Sequence, residues 1–117
     1  MLQIKPLQSK TEHEATCARC ATTYAATAMA YAATAQDRIL ALAQFKVKDE
    51  TGLLLSLSTA APTDTELPFL LGVATLNFMS LCGVRTVTAP ATAAPAPTLT
   101  ALGFSPDQNG NLTRALP

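Results

Sequence analysis

Three side chains in the run HEATCARC, His13, Cys17 and Cys20, have the types and spacing to hold a metal ion or carry redox chemistry. Positions i, i+4 and i+7 stack on one face of a helix, so the imidazole and both sulfurs would point the same way. All three are ligands that zinc takes in tetrahedral sites. A fourth ligand is needed, and the candidates are Glu12, Glu14 and the distant Cys82. No second cysteine pair follows, and a thioredoxin-type C-x-x-C sits after a strand rather than inside a helix. The other reading is structural: His13, Cys17, Cys20 and Tyr24 form the core stripe of a helix, buried cysteine behaving as a small hydrophobe.

The elements that must position any such chemistry are organised by the stretch from Leu53 to Val87: an apolar strand, a polar turn, an uncharged helix and a second strand. No charge falls between Glu66 and Arg85, so the helix is expected to be covered over most of its circumference. Asp64 or Thr65 can accept from its first free N–H groups, Pro68 fits only its first turn, and Gly83 is a left-handed stop. Leu67, Leu70, Leu71, Ala74, Phe78 and Leu81 make one stripe at i, i+3, i+4 spacing, predicted to face a sheet. Phe69, Val73, Leu76 and Met79 are apolar on the other side. A patch of that size predicts an interface, most simply in a two-fold homodimer.

At 117 residues the chain is expected to form a single domain, 1–117. Its net charge is zero and only 14% of residues are charged, which leaves no basic footprint for nucleic acid. The opening MLQIKPLQSK has no apolar core behind its basic residues and is not read as a secretory signal. Pro68, Thr75, Asn77 and Ser80 dilute the apolar run from Leu67 to Val84, so it reads as a buried helix rather than a membrane span. Three cysteines, an odd number, point to a reducing compartment, and the protein is expected in the cytoplasm.

Along the chain, Leu2 and Ile4 alternate with polar residues in a first strand that Pro6 ends. Ser9 and Glu12 match a capping box opening a helix over about Lys10 to Ala25. Thr27 to Ala35 is balanced between helix and strand. Gln36-Asp37-Arg38 is a turn, Ile39 to Val47 a long strand, Lys48 to Gly52 a hairpin connection, and Leu53 to Thr59 a central strand. After the long helix come a strand over Val84 to Thr88 and APATAAPAP, where three prolines in nine residues exclude a regular helix. Thr98 to Leu102 is at most one helical turn. A turn at Asp107-Gln108-Asn109-Gly110 precedes an edge strand over Leu112 to Leu116.

Five of these segments in order, I-K-P-L, Q-D-R before I-L-A-L-A-Q-F, a hairpin into L-L-L-S-L-S-T, a helix ending L-C-G-V-R-T-V-T, and A-L-G-F, resemble a small GNAT acetyltransferase. The resemblance implies an α/β fold, a GNAT-like mixed and twisted sheet flanked by helices, with Ala28 to Ala35 as its second strand. It also implies acetyl-CoA as the possible cofactor, its pantetheine held by backbone groups of Leu57, Ser58 and Thr59. The pyrophosphate loop maps onto Thr63 to Pro68, with Thr65 and Glu66 at cofactor positions. The family's loop is basic and glycine-rich, whereas here Thr63 replaces the basic residue and Glu66 and Pro68 replace the small ones. The fourth strand has no glutamate to act as base, and Leu99 stands where the family places an acidic tyrosine. Three readings follow. One is a GNAT-like protein with a degenerate acyl-CoA site serving as a binding or assembly module. Another is an N-acetyltransferase with an atypical cofactor site, acting on a small-molecule acyl acceptor. The third is a small metal or redox domain built on His13, Cys17 and Cys20.

Overall fold

The computed structural model describes residues 2–61 and 66–116. Seven strands and three helices follow the order β1 (Leu2–Pro6), α1 (Lys10–Arg19), β2 (Met29–Ala35), β3 (Arg38–Lys48), β4 (Thr51–Thr59), α2 (Glu66–Leu81), β5 (Thr86–Ala89), α3 (Ala96–Ala101), β6 (Ser105–Pro106) and β7 (Leu112–Ala115). They build one mixed sheet, β1-β2-β3-β4-β5-β7-β6, in which only the β4–β5 pair is parallel. The parallel pair is the one that α2 bridges, because parallel neighbours need a crossover connection. The alanine-rich stretch is β2, as the resemblance implied, and Ala30, Ala32 and Ala33 are buried in it. Among the described residues no helix is long and apolar enough to cross a membrane.

Each face of the sheet has its own core. α1 covers the smaller one, where Cys17, Cys20, Ala30 and Leu42 pack with Tyr24 and Ile39. α2 and α3 cover the larger, centred on Phe45, Leu54, Leu71, Met79, Val87 and Leu102. All three helices end the same way. After α2, Val84 N–H reaches Met79 O and Gly83 N–H reaches Ser80 O; after α3, Phe104 reaches Leu99 and Gly103 reaches Thr100. Thr22 and Ala21 repeat the pattern on Cys17 and Ala18 after α1. These are Schellman closures, which need a left-handed residue. Glycine supplies it at Gly83 (φ 90°) and Gly103 (φ 89°), but after α1 it is Ala21 (φ 52°).

Four expectations are corrected. α1 stops at Arg19 rather than near Ala25, because Gln44 captures the Thr23 carbonyl and the Ala25 N–H and so offers that backbone partners outside a helix. β5 starts at Thr86 rather than Val84, whose N–H is spent on the α2 cap. β7 is not an edge, since it pairs with β5 on one side and with β6 on the other. The fourth concerns α2, which is rotated from the predicted stripe. Pro68, Leu71, Gly72, Thr75, Leu76 and Met79 face inward, while Leu70, Val73 and Leu81 are exposed, Leu81 by 81%. Both faces are apolar, so transfer energy does not choose between them, and shape does. A Cβ at Gly72 would lie 2.6 Å from Leu102 Cδ1, so the notch at Gly72 admits Leu102. Thr75 satisfies its buried hydroxyl on Leu71 O at 2.8 Å. The predicted capping of α2 by Asp64 or Thr65 lies outside the described residues.

The left-handed conformation costs a residue with a Cβ about 1–2 kcal/mol, while glycine costs about 0.5–1 kcal/mol through the freedom it restores to the unfolded chain. Ala21→Gly is therefore expected to stabilise the protein by about 0.5–1 kcal/mol, the difference of those two terms. Urea unfolding should show a higher midpoint at an unchanged slope. A lower midpoint would mean that the Ala21 methyl makes contacts worth more than its backbone costs.

Candidate functional site

Two places in the fold bring chemical groups together, and they lie around β4. The first is the amide of Gln44, 1% exposed on β3. Its Oε1 accepts from the Ala25 backbone N–H at 3.0 Å, and its Nε2 donates to Thr23 O at 2.8 Å and to Ser56 Oγ at 3.0 Å. A backbone donor on one end and a backbone acceptor on the other fix the amide's orientation. His13 Nε2, 2.8 Å from the same Oε1, must then carry the proton and donate. Cys17 Sγ completes the cluster with a long S–H contact of 3.4 Å. The Tyr24 ring closes over His13 edge-on, centroids 4.7 Å apart.

Sequence reasoning passed over Gln44. A glutamine within the alternating A-L-A-Q-F-K-V run was the available signal, a polar residue where the pattern calls for an inward side chain. The cluster is chemically quiet. Burial pushes the Cys17 thiol up, with Glu14 adding to it, and burial pushes Cys20 up to about 11, reinforced by Cys17 and opposed by Arg19. Both are therefore protonated at neutral pH, which makes them poor nucleophiles. Among the described residues no group of three or more His, Cys, Asp or Glu side chains is placed to hold a metal ion.

The second place is the gap between β4 and β5. The β3–β4 register slips between Gln44 and Phe45, pairing Gln44 with Ser56 but Phe45 with Leu54, so Leu55 is an extra residue in a bulge. A bulge bends its strand and adds twist. β4 pairs with β5 only from Thr51 to Leu53, because β5 ends at Ala89 while β4 runs on to Thr59. Into the opening comes the segment after β5. Ala93 N–H closes a turn on Pro90 O at 2.9 Å, and Ala93 O accepts the Leu57 N–H at 2.7 Å. Ala93 and Ala94 are buried there, with Leu99 beneath them in α3. Prolines 90, 95 and 97 keep this segment out of a helix, and α3 starts only at Ala96, with Pro97 in its first turn where a missing N–H is tolerated.

Of the residues expected to hold a cofactor, Leu57 is buried and gives its N–H to Ala93, while Ser58 and Thr59 pair with Leu42 and Ala41 of β3. Glu66 is the first residue of α2, and Thr65 lies outside the described residues. No carboxylate stands on β4, and Leu99, at the tyrosine's position, is 1% exposed in the core. The two tyrosines lie elsewhere: the Tyr24 ring packs edge-on against His13. Tyr31 stacks on Phe45 at 5.7 Å and meets Phe78 edge-on at 5.4 Å, its hydroxyl pushed up by burial and then by Cys82. Thr98 Oγ1, buried in α3, has no hydrogen-bond partner among the described residues.

A seven-stranded mixed sheet with helices on both faces and a short parallel central pairing is the GNAT acetyltransferase fold, and this chain has it. Its likeness to solved members is of shape rather than sequence. The ribosomal-protein-S18-alanine N-acetyltransferase of Escherichia coli is 18% identical with a TM-score of 0.76, covering 100% of this chain and 94% of that one. An acetyltransferase of Bacillus subtilis in complex with CoA is 13% identical with a TM-score of 0.73, both chains covered in full. A GNAT family acetyltransferase of Elizabethkingia anophelis with acetyl-CoA bound is 13% identical with a TM-score of 0.71, 98% of each chain being covered. No protein-family profile matches the sequence, and no curated protein matches it significantly.

Gln44→Leu keeps the volume but strands His13 Nε2, the Ala25 N–H, the Thr23 carbonyl and the Ser56 hydroxyl. With about 1–3 kcal/mol for each buried group left unpaired, and some of them reaching water, the expected loss is about 3–5 kcal/mol in chemical denaturation. Thiol alkylation at pH 8 provides a second readout. In the native protein exposed Cys82 should react first, with Cys17 and Cys20 protected. In the variant Cys17 should become reactive as α1 loosens. Unchanged stability and labelling would show that the amide does not hold α1 to the sheet.

Proposed function

We propose that this chain is a GNAT-fold protein that does not transfer acetyl groups and acts as a binding or assembly module. The observation that carries this reading is the Leu57–Ala93 hydrogen bond. An extended pantetheine in the splay needs strand backbone groups as partners, and here the chain's own carbonyl takes the central donor while Ala93 and Ala94 fill the space beside it. On this reading the residues present do not fit acetyl-CoA. The missing basic residue, glycines, base and acid point the same way, since a pyrophosphate is best held by free N–H groups at a helix start without adjacent carboxylates.

Acetyl-CoA is accordingly expected to bind with a dissociation constant weaker than about 1 mM, less than about 4 kcal/mol of association free energy. Isothermal titration calorimetry checks it, and a low-micromolar constant would establish the competing reading of an N-acetyltransferase with an atypical cofactor site. That alternative is supported by the CoA and acetyl-CoA found in the Bacillus and Elizabethkingia structures. Against the metal or redox reading stand the raised thiols of Cys17 and Cys20.

The module is proposed to work in the cytoplasm, without nucleic acid, as a homodimer. With Leu76 and Met79 buried, support for dimerisation rests on Leu70, Val73 and Leu81, which leave an apolar stripe on the outer face of α2. Analytical ultracentrifugation at micromolar concentration is expected to show twice 12.2 kDa, and Leu81→Glu to shift the mass to the monomer. A wild-type monomer would remove the assembly half of the proposal.

A further inference from the structure

A pocket of about 320 Å³ lies at the C-terminal end of β4, next to the start of β3. Arg19, Arg38, Ile39, Leu40, Ala60 and Leu67 line it. The fold converges three elements there. The β3–β4 ladder is extended by Ala60 N–H donating to Leu40 O at 2.9 Å, which sets the pocket floor. Leu67, in the first turn of α2, makes one wall. The two arginines come from different elements. Arg19 sits in the last turn of α1. Arg38 opens β3 directly after a two-residue turn in which Gln36 (φ 51°) and Asp37 (φ 62°) are both left-handed, the geometry of a tight hairpin.

Neither guanidinium has a hydrogen-bond or ion-pair partner among the described residues, and no carboxylate is among the described residues that line the pocket. Two like charges held around one small cavity repel, and an anion between them relieves that repulsion while matching the guanidinium fork. The remaining walls are alkyl and only half-buried. A fully hydrated anion such as phosphate would leave that apolar surface wet, whereas an alkyl chain would cover it. The volume is near the lower end for small-molecule pockets. We infer that this pocket is a binding site for a small aliphatic carboxylate, its head between Arg19 and Arg38 and its chain against Ile39, Leu40 and Leu67. Leu67 falls in the stretch that the resemblance maps onto the pyrophosphate loop, whereas Arg19, Arg38, Ile39 and Leu40 fall outside every position expected to hold the cofactor, so the inference does not rest on the state of that cleft.

The test uses the full chain with three probes, hexanoate, hexanol and inorganic phosphate, titrated by calorimetry and followed by amide chemical shifts. Hexanoate is expected to bind with a dissociation constant of about 1 mM or tighter, with shifts centred on residues 38–40 and 60–61. Hexanol and phosphate should each bind at least about tenfold more weakly, and Arg19→Gln and Arg38→Gln should each weaken hexanoate by about two- to fivefold, the upper range of a surface charge contact. Both substitutions are at exposed positions, so the variants should fold, and unfolding midpoints within error of wild type confirm that a loss is local. Equal binding of hexanoate and hexanol, or equal binding of phosphate, would overturn the assignment. So would shifts centred on the groove between α2 and β7 instead, or full affinity retained in both variants.

Discussion

A buried strand N–H cannot be left without a partner, and where β4 parts from β5 the Leu57 N–H loses the neighbour that a continuous sheet would supply. Most of the C-terminal half answers to that constraint. The chain after β5 must turn back at Pro90, bring the Ala93 carbonyl to Leu57, and only then begin α3. The late start shortens α3 to six residues and seats Leu99 and Leu102 in the core. Leu102 in turn requires the missing side chain at Gly72. Turn, short helix and notch are successive consequences of one donor in need of a partner.

The other face of the sheet is held by polar rather than apolar means. α1 is short, and its side chains bury little area, so Gln44 binds it and the following loop to β3 and β4 at once. A fully satisfied buried amide of this kind specifies one arrangement, because a shifted helix would break several bonds together. The same bonds commit His13 Nε2 and Cys17 Sγ to holding the fold.

Much of the fold could be read from residues. Gly83 and Gly103 mark helix ends, the β-branched and leucine runs mark strands, and the prolines from Pro90 to Pro97 exclude an early helix. What could not be read were choices made by partners distant in sequence. α1 stops at Arg19, closed by Ala21, an alanine in a glycine's conformation, because the stop signal is Gln44, more than twenty residues away. α2 has two apolar faces, and nothing local says which one the notch at Gly72 will turn inward. For the candidate site, the departures at Glu66, Pro68 and Leu99 are visible letter by letter. The occupant of the splay is not, because Ala93 acts through its main chain and any residue could donate that carbonyl.

The Leu57–Ala93 contact also sets a scale for any molecule that competes with it. A ligand entering the splay binds only the fraction of molecules in which the Pro90–Pro95 segment has swung out, and its apparent affinity falls by that fraction. If opening costs about 3 kcal/mol, the penalty is a factor of roughly 150. Affinity at this cleft is then governed less by the contacts a ligand makes than by how firmly an alanine–proline segment keeps itself closed. Substitutions at Pro90, Pro95 or Thr92, none of which need touch the ligand, would tune it.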